Sequence, residues 1–286
     1  MSGRLGRMRL DLHCHSTASD GREEPGAMGR RAADLGLAIF SLTDHDTCDG
    51  WAAASAALDP AITAPVAGVE ISAVESGKTV HLLAYDGARD GRWSGLVDAL
   101  AGQARARRAR MRDMVARLVQ RGVSIAWEDV LAEAGPGSAV LGRPHLARAL
   151  VRRGAVSSVS EAFGRYLGDG GPVDVPISRL GVADALEVAR AAGARVSLAH
   201  PHTLGPVIAA DLLRRHAAGG LDGIEAAYGA YGPRERDSWL ELAASFDATV
   251  TGGSDYHGFD ASDSGGPGVE MDEPHASRLR EWLGLG

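Results

Sequence analysis

Two histidines one residue apart, His13 and His15, close the short apolar run Met8-Arg9-Leu10-Asp11-Leu12. The run is too short for a helix and reads as a strand, and residues two apart in a strand share a face. Both imidazoles can then serve one ion, while Cys14 points to the packed side as a small buried hydrophobe. Asp20 follows through a Ser- and Thr-rich loop that turns the chain back and offers an oxygen ligand.

The pattern recurs downstream. Thr43-Asp44-His45-Asp46 ends the apolar run Leu37 to Leu42, His200-Pro201-His202 ends Arg195 to Ala199, and Asp255 and His257, again two apart, follow Ala248 to Thr251. Glu70 and His81 lie inside the runs Val66 to Ser72 and Thr79 to Tyr85, where a carboxylate is costly unless it is paired or coordinates a metal. His13, His15, Asp20, His45, Glu70, His81, His200, Asp255 and His257 make nine ligand-type groups near strand ends. That exceeds what one ion can use, so two or three divalent ions (manganese, zinc or iron) are expected. Sites of this kind activate a bridging water for in-line displacement at phosphorus.

The elements that must position these groups alternate. Helices are predicted from Pro25 to Leu35, Trp51 to Leu58, Val182 to Ala192, Pro206 to Ala217 and Arg234 to Phe246, between strands that are mostly continuous apolar runs, as in parallel α/β folds. Such folds place active sites at the carboxyl ends of strands. Between Ser94 and Pro176 no convincing strand is visible: a long arginine-dense helix (Leu96 to Val119) precedes shorter ones at Trp127 to Ala134, Pro144 to Arg153 and Ser160 to Leu167. This segment reads as a helical insertion. Within it, Pro144 at a helix start puts Arg143 and His145 at an N-terminus that favours an anion. The stretch Phe259 to Gly268 reads as a loop able to cover the site.

The 286 residues suffice for one barrel-sized domain with an insertion, and 45% hydrophobic with 23% charged residues is the balance of a soluble globular protein. A formal charge of -7 gives no footprint of a duplex-DNA binder. Two cysteines, Cys14 and Cys48, provide no disulfide framework. With no signal-like N-terminus and no long apolar stretch, no membrane partner and a cytoplasmic location are expected. Oligomeric state is not encoded in any of these features.

The motifs Asp11-Leu12-His13-Cys14-His15-Ser16-Thr17-Ala18-Ser19-Asp20-Gly21, Thr43-Asp44-His45-Asp46, Gly68-Val69-Glu70-Ile71-Ser72, His81, Ala199-His200-Pro201 and Gly253-Ser254-Asp255-Tyr256-His257 run in order over nearly the whole chain. In this the chain resembles the polymerase and histidinol phosphatase (PHP) superfamily. The resemblance implies an α/β fold, a distorted (β/α)7 TIM-like barrel formed by residues 1–93 and 177–286, with the helical insertion at 94–176. It implies one ion on His13, His15, Glu70 and Asp255, with Glu70 bridging to a second held by His81 and His200, and a third on Asp20, His45 and His257. Gly142-Arg143-Pro144-His145-Leu146 and Tyr166-Leu167-Gly168-Asp169-Gly170-Gly171-Pro172 are similar to the group containing 3′,5′-nucleoside bisphosphate phosphatases and enzymes acting on short RNA 5′ ends.

The activity implied is metal-dependent hydrolysis of a nucleotide phosphomonoester by a metal-bridging hydroxide. His13, His15, Glu70, Asp255 and Arg143 would be the catalytic set, with Arg143, His145 and His202 binding substrate. His202 and Asp46 are candidates for supporting or leaving-group duties. A histidinol-phosphate phosphatase would share the metal site. An amidohydrolase would want a bridging lysine, and Lys78 precedes its strand. A non-catalytic metal-binding module is the alternative of another class.

Overall fold

The computed structural model describes residues 7–86, 93–135, 140–177, 179–258 and 266–285. Ten strands and ten α-helices follow one another along these residues. They are β1 (Arg7–Asp11), α1 (Pro25–Asp34), β2 (Ile39–Phe40), α2 (Trp51–Ser55), β3 (Ala64–Pro65), β4 (Ala67–Glu75) and β5 (Lys78–Asp86), then the helical stretch α3 (Ser94–Gln120), α4 (Trp127–Ala134), α5 (Arg143–Arg152) and α6 (Val159–Ala162). A π-helical turn, Phe163–Leu167, closes that stretch. The alternation resumes with β6 (Leu180–Gly181), α7 (Val182–Ala191), β7 (Arg195–Leu198), α8 (Pro206–His216), β8 (Leu221–Tyr228), α9 (Pro233–Ser245), β9 (Thr249–Gly253), β10 (Val269–Asp272) and α10 (Glu273–Trp282).

The strands form a four-stranded sheet ordered β10-β1-β2-β3 and a six-stranded sheet ordered β6-β4-β5-β7-β8-β9. Parallel ladders join β1 to β2, β2 to β3, β7 to β8 and β8 to β9, as the alternation predicts. The sheets approach along two seams. Leu12 N donates to Gly252 O and Asp255 N to His13 O on one side, and Val66 N donates to Phe40 O and Asp46 N to Glu70 O on the other.

The mixed α/β fold with parallel ladders is the one expected, but the described strands form two sheets rather than one closed barrel, and their ladders are not all parallel. β5 is antiparallel to both of its neighbours. The cause is local: β4 and β5 are joined by Ser76 and Gly77 with φ of 49° and 77°, and a two-residue turn with both φ positive closes a hairpin and leaves no room for a crossover helix. The sequence reading also overlooked β10, which pairs antiparallel with β1. The expected cover loop from Phe259 to Gly268 lies largely outside the described residues.

The main core fills the space around β1, β4, β5 and β7 to β9, and a smaller cluster (Cys14, Met28, Ala32, Leu37, Phe40) lies under α1 and α2. A separate core is built from the helical stretch alone, from Met111, Met114 and Leu118 through Leu146 and Leu150 to Leu167 and Val173. α3 spans both, since Leu96 and Leu100 belong to the main core. That one helix carries the helical stretch on the sheets. No helix among the described residues is long and apolar enough to cross a membrane.

Candidate metal centre

Glu70 is the hub. It is fully buried on β4, and its two oxygens stand close to five imidazoles: His13 Nε2 at 3.5 Å, His15 Nε2 at 3.3 Å, His45 Nδ1 at 2.7 Å, His81 Nδ1 at 2.9 Å and His200 Nε2 at 3.1 Å. Asp255 Oδ1 lies 3.4 Å from His13 Nε2 and 3.1 Å from His15 Nε2. Asp20 Oδ1 lies 3.5 Å from His257 Nε2, and its Oδ2 lies 3.9 Å from His45 Nε2. Ligand atoms about 2.1 Å from a common ion and at tetrahedral or octahedral angles are about 3.0–3.4 Å apart. The observed spacings fall around that value.

Four sets have ligand atoms within 4.8 Å of one another: His15, Asp20, His45 and His257; His13, Glu70 and His200; His13, His15 and Asp255; and His45, Glu70 and His81. All nine side chains singled out in the sequence therefore meet in one cluster. The sets overlap more than the expected division, because His13, His15 and His45 each reach two of them.

The residues fit a bound cation on chemical grounds. His13 Nε2, both ring nitrogens of His15, His45 Nδ1 and Glu70 Oε2 are buried without a hydrogen bond of acceptable geometry. Each such atom would cost about 1–3 kcal/mol if left unpaired. At one ligand atom per residue, these groups converge on shared space, as ligands do.

Supporting contacts fix the cluster. Glu225, buried on β8, lies 3.0 and 3.1 Å from His13 Nδ1 through its two oxygens and accepts from His200 N at 2.7 Å. Tyr228 donates to Asp255 Oδ2. Asp44 accepts from Ser16 N, Ser16 Oγ and Ser19 Oγ, which shapes the loop carrying Asp20. Close packing of that loop and of the β9 end requires glycine: a Cβ on Gly21 would meet the His15 carbonyl at 2.6 Å, and one on Gly253 would meet the His13 backbone N at 2.5 Å. Asp46, His200 and Asp255 hold left-handed φ of 51°, 25° and 55°. Strain of about 1–3 kcal/mol at such positions persists only where the surroundings impose it.

Asp11 latches β1 to the Asp255 loop, accepting from His13 N, Ser254 N, Ser254 Oγ and Gly268 N. Burial lifts its carboxyl to about 6 in spite of these donors. Asp11→Ala is expected to lower stability by about 2–5 kcal/mol, because it strands several buried donors. The urea midpoint reads this; a midpoint within error of the parent's would refute the latch.

The cluster's charges sort its protons. Burial and then His257 push His15 down to about 4. His257 goes the other way: burial lowers it, but Asp20 and Asp255 outweigh burial and raise it to about 10. A group raised in this way is protonated at neutral pH and stabilises the metal-free fold fully below about 6.5, the contribution fading as pH rises toward 10. To ligate, it must lose that proton. Manganese affinity of stripped protein is therefore expected to rise from pH 6 to pH 9 with proton release, measured calorimetrically in buffers of different ionisation enthalpy. Binding without proton release at pH 7 would contradict this.

Asp20, His45, His81 and His200 of the cluster line a cleft of 880 Å³ together with Arg107, Arg110, Arg143 and Arg179. Arg143 reaches Leu167 O at the end of the π-helical turn and Asp169 Oδ1, with its guanidinium 5.7 Å from the Phe163 ring centroid. His145 is buried, does not line the cleft, and receives Gly142 N–H on its Nδ1. Burial pushes it down to about 4. His202 sits outside the lining as well, with its Nδ1 2.9 Å from Tyr231 Oη. Asp46 accepts from Arg107 Nε and Gln103 Nε2. His216 and His275 lie apart, near Glu75 and Asp272.

Sequence reasoning missed Glu225, Tyr228, Arg107 and Arg179. Glu225 carried the same signal as Glu70, an acid flanked by apolar residues in a strand.

A profile of the PHP domain matches residues 11–126. The chain is 32% identical over 251 residues to a 5'-3' exoribonuclease of Haemophilus influenzae, covering 87% of this chain and 90% of that protein. It is 34% identical to a phosphoribosyl 1,2-cyclic phosphate 1,2-diphosphodiesterase of Eggerthella lenta (87% and 94% covered) and 31% identical to a 3',5'-nucleoside bisphosphate phosphatase of Chromobacterium violaceum (87% and 87% covered). A solved structure from Bifidobacterium adolescentis, assigned as a metal-dependent phosphoesterase, superimposes with a TM-score of 0.81 at 31% identity, covering 96% of both chains. Its motifs, cluster and likenesses agree: the chain belongs to the PHP domain family of metal-dependent phosphoesterases.

Proposed function

We propose that this chain is a metal-dependent phosphoesterase that removes a phosphate from a nucleotide, with a 3′,5′-nucleoside bisphosphate, a nucleoside monophosphate or a short RNA 5′ end as substrate. The observation that carries the reading is the cleft itself, whose lining joins Asp20, His45, His81 and His200 of the cluster to Arg107, Arg110, Arg143 and Arg179. The likeness to a bisphosphate phosphatase and an exoribonuclease supports the nucleotide.

On the motifs, His13, His15, Glu70 and Asp255 would hold one ion, Glu70, His81 and His200 a second, and Asp20, His45 and His257 a third. The chemistry such a site would supply with divalent ions bound is an activated water and neutralised charge on the phosphoryl oxygens. The chain does the remainder. Glu225 fixes the His13 ring so that Nε2 faces the site. Tyr228 orients the Asp255 carboxylate. Arg143, preset by Leu167 O and Asp169, offers its guanidinium to the phosphate. We assign residues 94–176 as the insertion that brings Arg143 over a TIM-like barrel of the remaining chain.

The deciding assay is phosphate release by manganese-loaded protein from adenosine 3′,5′-bisphosphate, 5′-AMP, histidinol phosphate and a short 5′-phosphorylated RNA, against a metal-stripped control. Activity confined to histidinol phosphate would overturn the nucleotide reading. A second reading, hydrolysis of a cyclic ribose phosphodiester, is favoured by the likeness to the Eggerthella lenta enzyme. Opening of a 1,2-cyclic phosphate in the absence of nucleotide turnover would establish it.

A further inference from the structure

Gln103 is a buried amide on α3. It does not line the cleft, and its side chain is committed to three separate segments of the chain. Nε2 donates to Asp46 Oδ1 at 3.1 Å and to Ser72 O at 3.0 Å, and Oε1 accepts from Leu180 N at 3.1 Å. These partners fix which way round the amide sits. Only its oxygen can take the Leu180 N–H, and only its nitrogen can face a carboxylate and a carbonyl.

Two of the segments lead straight to the metal cluster. Asp46 follows His45, and its own amide donates to Glu70 O. Both oxygens of its carboxylate are engaged: Oδ1 accepts also from Ser72 N at 2.8 Å, and Oδ2 from Arg107 Nε at 2.6 Å. Ser72 lies two residues after Glu70 on β4, so the two share a face, and it stands opposite His81 on β5. At Ser72 the ladder on the other side of β4 has run out, since β6 pairs with Ala73 and Val74 only. Buried backbone groups need partners, and here Asp46 takes the Ser72 amide while Gln103 serves its carbonyl. The left-handed φ of 51° at Asp46 is imposed by this set of contacts.

We propose that Gln103 is a positioning residue of the metal centre: through Asp46 and Ser72 it fixes the segment that presents His45 beside Glu70, so that His45 can serve both ligand sets to which it belongs. Those sets are His15, Asp20, His45 and His257, and His45, Glu70 and His81. The set His13, His15 and Asp255 contains neither His45 nor Glu70. The proposal rests on the metal-dependent reading of the cluster and deepens it. α3, the helix that carries the helical stretch, then also governs ligand geometry. Gln103 stands in an arginine-dense helix outside every motif, and only the three segments that folding brings to it reveal the role.

The test titrates manganese into metal-stripped parent, Gln103→Met and Gln103→Glu proteins by calorimetry, with circular dichroism as the check of folding. Methionine keeps the length and lacks the amide, whereas glutamate keeps an acceptor for Leu180 N and loses both donors. Both variants are expected to bind part of the manganese about 10- to 100-fold more weakly, the cost of loosening what orients a ligating histidine. The ion on His13, His15 and Asp255 is expected to keep its parental affinity. Uniform weakening of every ion would overturn the proposal and leave Gln103 a support of the fold. Unchanged titrations would overturn it as well, and so would parental binding by Gln103→Glu alone, which would put the whole effect on Leu180. Phosphate release is read separately. If no phosphoester is hydrolysed but the selective weakening is seen, the positioning role stands and the hydrolytic reading falls; if the parent binds no manganese, both fall.

Discussion

Glu70→Gln is expected to reduce phosphate release by about 10³-fold or more, the loss associated with removing preorganised charge from a buried site, in a protein that stays folded. The carboxylate sits within 3.5 Å of five imidazole nitrogens. Burial raises its carboxyl, but His45, His81 and His13 outweigh burial and hold it well below the usual carboxylate range. An acid depressed in this way stabilises the fold above about pH 4.5 and loses that contribution as pH falls through the folded value. Glutamine is nearly isosteric and removes the charge at every pH. Both sets that contain Glu70 would lose their common ligand, and excess metal would not replace the missing charge. Circular dichroism and metal content separate the outcomes: near-parental turnover in a folded variant would sink the assignment of Glu70 as the bridging ligand, and with it the hub of the site.

The site was more legible in the sequence than the fold that carries it. Histidines and acids at the ends of apolar runs announce themselves because strands project alternate residues to opposite faces and because a buried carboxylate needs a reason. The nine groups found in this way all meet in space. The sheet connectivity was harder. Both the β4 and β5 runs read as apolar strands, and a run of apolar residues says nothing about direction; the turn at Ser76 and Gly77 carried the information and was passed over. β10 was missed because its inward residues, Val269 and Met271, alternate with Glu270 and Asp272 over only four positions. His145 shows a limit of another kind. A helix start favours anions, but the same free amides can be satisfied within the chain, and here the imidazole, buried outside the cleft lining, receives Gly142 N–H.

Glu225 offers the second large effect and separates support from ligation. One carboxylate serves two neighbours: it faces His13 Nδ1 through both oxygens and takes the His200 amide proton. His13 and His200 belong together in a set with Glu70, so one substitution loosens both histidine members of that set. Burial lowers His13, but Glu225, Asp255 and Glu70 together raise it well above an ordinary histidine. Glu225→Gln removes the first of these charges, keeps the shape and leaves one oxygen to accept from His200 N. Metal affinity is expected to fall by about 10- to 100-fold, the usual cost of losing the partner of a ligating histidine, and turnover to fall with it at limiting metal. Raising manganese should recover most of the activity, whereas Glu70→Gln stays inactive at any metal concentration. That contrast is the measurement: two buried glutamates, one substitution rescued by metal and one not. If Glu225→Gln binds manganese as the parent does, the carboxylate is structural only, and the orientation of His13 must come from its packing.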